Sequence, residues 1–328
     1  MMDEMQADKK ISIIASNARV FFLISIVSAH IGLSETAPIV IQQFWSHISS
    51  IGVVGYLIIS SYYYNKNKWT NIYEMLKRKT TTVLVPWFIM GSVGYCYKAI
   101  LSHSMSIIEY LKFIIGNGSY LYYMTVLFLC FIIFYYSNWR CNILYIALSL
   151  VSLLLTSGGY LDDIIDSLHI TNYLNILNWI GYFAVGQFLQ IMDTRKLFDI
   201  MTKYKNLCIM LFSCAFIIVF VNRTPVNYFS NLGWAYNILG VICIFSITSF
   251  IVEKNIIFEI ISKDSFTVYL IHFMIIGVTD NIYNRFIITQ AVAPLIVIII
   301  GVFVVQIMRW INDKYIKLNW IPIVMGFR

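Results

Sequence analysis

The chain has 328 residues, of which 59% are hydrophobic and only 12% are charged, and its mean hydropathy is +0.76. A soluble domain carries about 25% charged residues, so the composition excludes a soluble globular protein and specifies a polytopic membrane protein. The net charge of +7 is spread over short loops between apolar runs, which excludes a nucleic-acid surface, and the six cysteines show no C-x-x-C spacing that would indicate a disulfide framework or a zinc site.

About ten apolar runs are long enough, at ~17–25 residues, to be read as spans. They lie near 11–33, 47–64, 83–101, 119–137, 141–157, 176–192, 205–222, 232–252, 265–285 and 288–310. No polar stretch is long enough to bury a core of its own, so residues 1–328 form one all-α membrane domain. The first run has no small-residue cleavage site after it and is expected to be retained.

That first run carries Arg19 and His30. A charge in hydrocarbon costs ~2.5–3.5 kcal/mol on insertion scales, and such groups face a bundle interior or a water-filled cavity. Eleven residues at ~100° each bring the two side chains to one helix face, ~16 Å apart along the axis. Glu35 follows in the first loop. The second run ends Gly55-Tyr-Leu-Ile-Ile-Ser60-Ser61-Tyr62-Tyr63, and a basic cluster, Lys77, Arg78 and Lys79, leads through Thr80–Thr82 to Pro86 at the start of the third.

Stretches 104–116 and 160–174 mix apolar and polar residues and are expected as interfacial helices or re-entrant loops. Tyr122 and Tyr123 open the fourth run, and Trp179 and Trp234 suit an interfacial aromatic belt. Asp162, Asp163 and Asp166 are loop acids that are either solvated or in contact with a ligand. Tyr182-Phe-Ala-Val-Gly186 lies in the sixth run. In the ninth, Ser265, Tyr269 and His272 recur at steps of four and three and share a face.

Loop charge sets the orientation. With the N-terminus inside, only Lys98, Lys112, Arg223 and Arg285 fall outside and Arg19 falls within the membrane. All other lysines and arginines, from Lys9 through the Lys77–Lys79 cluster and Lys263 to Arg328, fall inside. This asymmetry predicts N-in, C-in topology. His30 is then about one turn from the outer face, with Arg19, Ser265, Tyr269 and His272 in the inner half.

Taken in order, these motifs resemble membrane-bound acyltransferase family 3, whose members acylate cell-surface sugars in bacteria. The resemblance rests on Arg19-x10-His30, Gly55–Tyr63, Lys77–Trp87, Tyr182–Gly186 and Ser265–His272, each in its place along most of the chain. The pattern departs from the family at Lys79-Thr-Thr-Thr82, where the family has Arg-x-x-Arg, and at Ser60-Ser61, where it has Ser-Gly. No esterase-like extension follows the tenth run, so the chain is expected to be similar to stand-alone members.

The resemblance implies an O-acetyltransferase in the bacterial cytoplasmic (inner) membrane that uses acetyl-CoA (acyl-CoA) as donor substrate and no metal. The acceptor would be a hydroxyl of a lipid-linked or extracytoplasmic saccharide. His30 would be the general base, since a neutral imidazole in hydrogen-bond reach can take a hydroxyl proton; the alternative is a satisfied core histidine. Glu35 would orient it or is simply a loop residue. Arg19 cannot lose its charge and would face the donor's phosphates or amide carbonyls, or else pin backbone carbonyls. Lys77, Arg78 and Lys79 would hold the nucleotide at the inner mouth or set topology against anionic lipid. Ser265, Tyr269 and His272 would line the donor channel or form a helix–helix cluster. Membrane lipid is an expected partner and nucleic acid is not; self-association and polysaccharide-synthesis partners stay open. The rival class is a transporter of a saccharide or a serine-type amino acid serving peptidoglycan or polysaccharide modification.

Overall fold

A computed structural model describes residues 4–35, 37–318 and 320–326. Arg328, counted above among the inner cations, lies outside the described residues. The described chain is all helical. In order, its helices are α1 (Glu4–Ser28), α2 (Ile39–Ile48), α3 (Ile51–Tyr62), α4 (Ile72–Lys79), α5 (Val85–Ser102), α6 (Ile107–Ile115), α7 (Tyr122–Tyr136) and α8 (Cys141–Ser157). These are followed by α9 (Asp162–Ser167), α10 (Leu177–Gln190), α11 (Thr194–Val221), α12 (Gly233–Thr248), α13 (Ile256–Tyr283), α14 (Ile287–Ala291), α15 (Ala293–Ile311) and α16 (Ile321–Met325). By length and composition six segments can cross a membrane: α1, α2–α3 together, α4–α5 together, α11, α13, and α15 with the turn after it. Helices α7, α8 and α12 are apolar but shorter. α10, with 14 residues, reaches only ~21 Å against a hydrocarbon core of ~30 Å.

Every apolar run contains a helix, but several ends differ. The first helix stops at Ser28, so His30 sits in a turn past it, closed by its N–H on the Val27 carbonyl at 3.1 Å. The single helix face expected to carry both Arg19 and His30 therefore ends before His30. Residues 47–64 are broken at Ser49–Ser50 between α2 and α3. The break is stitched to α1 by Ser25, whose hydroxyl donates to the Ile48 carbonyl (2.6 Å) and accepts from the Gly52 N–H (2.7 Å). Between α4 and α5, Thr80–Leu84 forms a π-turn in which the Val85 N–H reaches back to the Thr80 carbonyl. Pro86 lacks the N–H that would continue the ladder, and its ring crowds the carbonyl four residues back, so the helix widens there.

α1 is the central element, packed against α3, α11, α12, α13 and α15. Small residues set the closest crossings, as expected where van der Waals packing replaces the hydrophobic effect. A Cβ at Gly186 of α10 would stand 2.3 Å from the Ile58 carbonyl oxygen of α3, so only glycine permits this approach. The last carbonyls of α3 are also satisfied across this contact, where Gln187 donates to Ser61 (2.7 Å) and Tyr64 (2.9 Å), and Gln190 donates to Tyr62 (2.7 Å). α11 is the opposite case: its most apolar window contains no buried residue, the character of a lipid-facing helix. The chain's end returns to the bundle, where Thr267 of α13 donates to the Met325 carbonyl at 2.9 Å.

Candidate functional site

Two of the cavities along α1 are lined by basic side chains. The first, of about 370 Å³, is walled by α1, α3, α7 and α13 and by the lead-in to α5. Arg19, Lys79 and Lys263 all line it, together with Tyr63, Ser265 and Tyr269. The Arg19 guanidinium lies 5.6 Å from the Tyr63 ring centre, and Tyr56 donates its hydroxyl to the Arg19 carbonyl at 3.0 Å. The Lys79 ammonium sits 3.7 Å from the centre of the Phe131 ring, in cation–π range.

Among the described residues, no carboxylate lines this cavity. The nearest in sequence, Asp264, is fully buried and committed to Arg309 at 2.7 Å, and it also accepts a hydrogen bond from Gln306. Three cations around one volume can offer an anion charge-assisted contacts, which are about twice as strong as neutral ones.

The second cavity, of about 510 Å³, is lined by His30, Lys98 and a ring of aromatics that includes Tyr120, Tyr173, Tyr228 and Phe273. Ligand pockets typically span ~300–1,000 Å³, and both volumes fall in that range. Ile26 and Tyr269 line both cavities and form the wall between them. That wall is fixed: Tyr269 donates its hydroxyl to the Tyr120 carbonyl (2.5 Å), and Tyr120 donates its own to the Leu270 carbonyl (2.9 Å). Phe273 stacks on Tyr120 at 5.2 Å and 7° and approaches His30 at 5.8 Å.

Arg19, Lys79, Ser265 and Tyr269 are thus brought to one cavity, while His30 lies on the other. The remaining expected site residues lie elsewhere. His272 was expected in the inner half, along the donor channel with Ser265 and Tyr269. It is fully buried with its ring centre 5.2 Å from that of His30. α13 begins at Ile256, not near 265, and this places His272 mid-helix at the level of the turn after α1. Glu35 is exposed on the turn after His30, and no ion pair or hydrogen bond joins the two among the described residues. Lys77 and Arg78 are exposed and line neither cavity, and Arg78 lies over Trp69 at 5.5 Å. Only the last of the three basic residues turns inward, because the π-turn starts directly after it.

Trp179, expected in an interfacial belt, is 1% exposed and donates its indole N–H to the Tyr173 carbonyl at 2.9 Å. The acids Asp162, Asp163 and Asp166 are exposed on α9 and line neither cavity.

Sequence reasoning missed Lys263 as a site residue because it counted it as a loop cation. The longer α13 puts it on the cavity, one turn before Phe266. It also missed Tyr120 and Lys98. A tyrosine in an aromatic-rich run carries no signal of its own, and Lys98 was noted only as an outward charge.

No curated protein and no solved structure matches the chain. The family model for the acyltransferase domain of acyltransferase family 3 matches residues 16–310. Every residue lining either cavity falls inside that match, and the chain, a multi-pass all-α membrane protein, belongs to acyltransferase family 3.

Proposed function

We propose that the protein moves an acetyl group from acetyl-CoA, bound in the Arg19 cavity, to a saccharide hydroxyl bound in the His30 cavity. The observation that carries this reading is the pairing of the two volumes. One is ringed by cations, the other holds an imidazole among aromatics, and they share a wall of two side chains. The donor's phosphates suit Arg19, Lys79 and Lys263, with Ser265 and Tyr269 along the path of the pantetheine arm. The acceptor's sugar face suits the aromatic ring around His30, since apolar sugar surfaces pack on such side chains and the few polar groups fix orientation.

On this reading the Arg19 side faces the cytoplasm of a bacterial cell, where acetyl-CoA is made, and the His30 side faces outward, the orientation that the loop charges favour. A hydroxyl is a weak nucleophile, and His30 takes its proton as the oxygen attacks the thioester carbonyl, a contribution of ~10²–10⁴ in rate. The tetrahedral intermediate collapses with loss of the carbon–sulfur bond, and the thiolate that leaves takes the proton back from the imidazolium. The products are the acetyl ester and free coenzyme A.

The test compares purified, reconstituted wild-type and His30→Ala protein by thiol release and ester formation, with unfolding midpoints measured in parallel. The proposal expects His30→Ala to lose ~10²–10⁴ in turnover at an unchanged midpoint. Ester formation at the wild-type rate by His30→Ala would refute the base assignment, and saccharide or amino-acid flux without thiol release would favour a carrier.

A further inference from the structure

His272 is a buried titratable group beside the reaction centre that the mechanism above leaves unused. Its Nδ1 lies 2.5 Å from the Tyr269 carbonyl oxygen. A carbonyl only accepts, so Nδ1 carries the hydrogen and Nε2 is a bare acceptor. That Nε2 is buried and has no hydrogen-bond partner among the described residues. A buried acceptor without a donor loses its desolvation energy uncompensated, so such an atom calls for an explanation.

Two hydroxyls lie on the rings beside it, and both are spent elsewhere: Tyr120 donates to the Leu270 carbonyl and Tyr269 to the Tyr120 carbonyl. Among the described rings beside His272, the one left that can donate is His30. Its ring centre is 5.2 Å away at 42°. Two imidazoles joined by one N–H···N bond of ~2.9 Å have centres about 5 Å apart. Tyr120 lies edge-on to both rings, at 5.1 Å from His272 and 6.3 Å from His30, and Phe273 covers His30 at 5.8 Å. Two of the rings packed on the pair, those of Tyr120 and Phe273, thus present aromatic carbon edges and faces, and their one polar hydrogen, on the Tyr120 hydroxyl, is already donated to the Leu270 carbonyl.

We infer that His272 is the positioning residue for His30, accepting an N–H from one of its ring nitrogens so that the other points at the acceptor hydroxyl as a bare base. The Tyr269 carbonyl sets the tautomer of His272, and His272 sets the tautomer of His30. The arrangement does for a histidine base what an acidic partner does in a hydrolase triad, but with two neutral rings, so it adds no charge to a site in the membrane. It also explains why Glu35 can stand exposed and apart.

This inference rests on His30 being the base, and the experiment separates the two. His272→Leu removes the acceptor at similar volume, while His272→Gln restores a carbonyl oxygen near the position of Nε2. Steady-state kinetics with acetyl-CoA and a fixed saccharide acceptor should give His272→Leu a kcat reduced roughly tenfold to a hundredfold, part of the ~10²–10⁴ a general base supplies. KM for acetyl-CoA should stay unchanged, and His272→Gln should recover most of the loss. A purely structural role would instead lower the unfolding midpoint of both variants together. If His30→Ala is inactive while His272→Leu keeps the wild-type kcat, or if His272→Gln is no better than His272→Leu, the inference is overturned and the base assignment stands. If His30→Ala is fully active, both fall.

Discussion

The buried Asp264–Arg309 pair gives the sharpest stability prediction. Asp264 is fully inaccessible, whereas the Arg309 side chain is 21% exposed. The two halves of the pair are therefore unequal. Arg309→Met leaves a carboxylate sealed in the bundle with Gln306 as its remaining side-chain donor, and breaking a buried pair in this way costs about 3–5 kcal/mol. Asp264→Asn leaves a guanidinium that is already partly exposed near the end of α15 and whose long stem can carry it outward. That change loses a charged hydrogen bond worth about 1.5–3 kcal/mol. Removing both charges with Asp264→Leu and Arg309→Met together should cost less than Arg309→Met alone, since no orphan charge remains.

The assay is unfolding in mild detergent followed by midpoint and amplitude for the four proteins. The expected order of stability puts Arg309→Met lowest, Asp264→Asn above it, and the double variant above Arg309→Met. Asp264 also stands between Lys263 and Ser265, both on the Arg19 cavity. An unpaired carboxylate there should raise KM for acyl-CoA in Arg309→Met but not in the double variant. Arg309→Met as stable as the wild type, or less damaging than Asp264→Asn, would refute the reasoning.

Two further outcomes follow from the packing and the cation ring. Gly186→Ala places a methyl 2.3 Å from the Ile58 carbonyl oxygen and must push α10 off α3, whereas Gly32→Ala meets nothing within 4 Å. A loss of folded yield and midpoint is expected for the first alone, read by size-exclusion of detergent-solubilised protein. Lys263→Glu should raise KM for acyl-CoA by tenfold or more, about 1.4 kcal/mol, while Lys77→Glu, exposed and off the cavity, should leave it near the wild-type value; equal effects of the two would argue for a general surface-charge role.

Much of the architecture is legible in the sequence. Hydropathy marks the helices because a backbone in lipid must satisfy its own hydrogen bonds. Gly186 and Pro86 stand where the closest helix approach and the π-turn occur. Arg19 and His30 stand out because polar groups in apolar runs are costly. What stayed hidden was pairing between distant helices. The 265–269–272 spacing points to one helix face, yet says nothing about which of the three meets His30. That depends on where α13 starts and α1 stops, and helix ends are the weakest feature in a hydropathy profile. The same uncertainty kept Lys263 in a loop and let Lys77 and Arg78 stand for a site that only Lys79 reaches. Glu35 was adjacent in sequence to His30, but past the end of a helix sequence neighbours diverge.

The wall shared by the two cavities has an electrical meaning. Ile26 and Tyr269 are both buried and line both volumes, so under the proposed function these two side chains are what separates donor from acceptor. Where solvent or ligand penetrates from both sides, the transmembrane voltage drops mostly across what lies between. A group carrying unit charge through it would exchange about 2.3 kcal/mol per 100 mV with the field. Under the proposed function nothing charged makes that crossing. The phosphates stay with Arg19, Lys79 and Lys263, and only a neutral arm ending in a thioester passes the wall, once the hydrogen bond that holds Tyr269 to the Tyr120 carbonyl opens. Acyl transfer of this design should run at the same rate in energised and de-energised membranes.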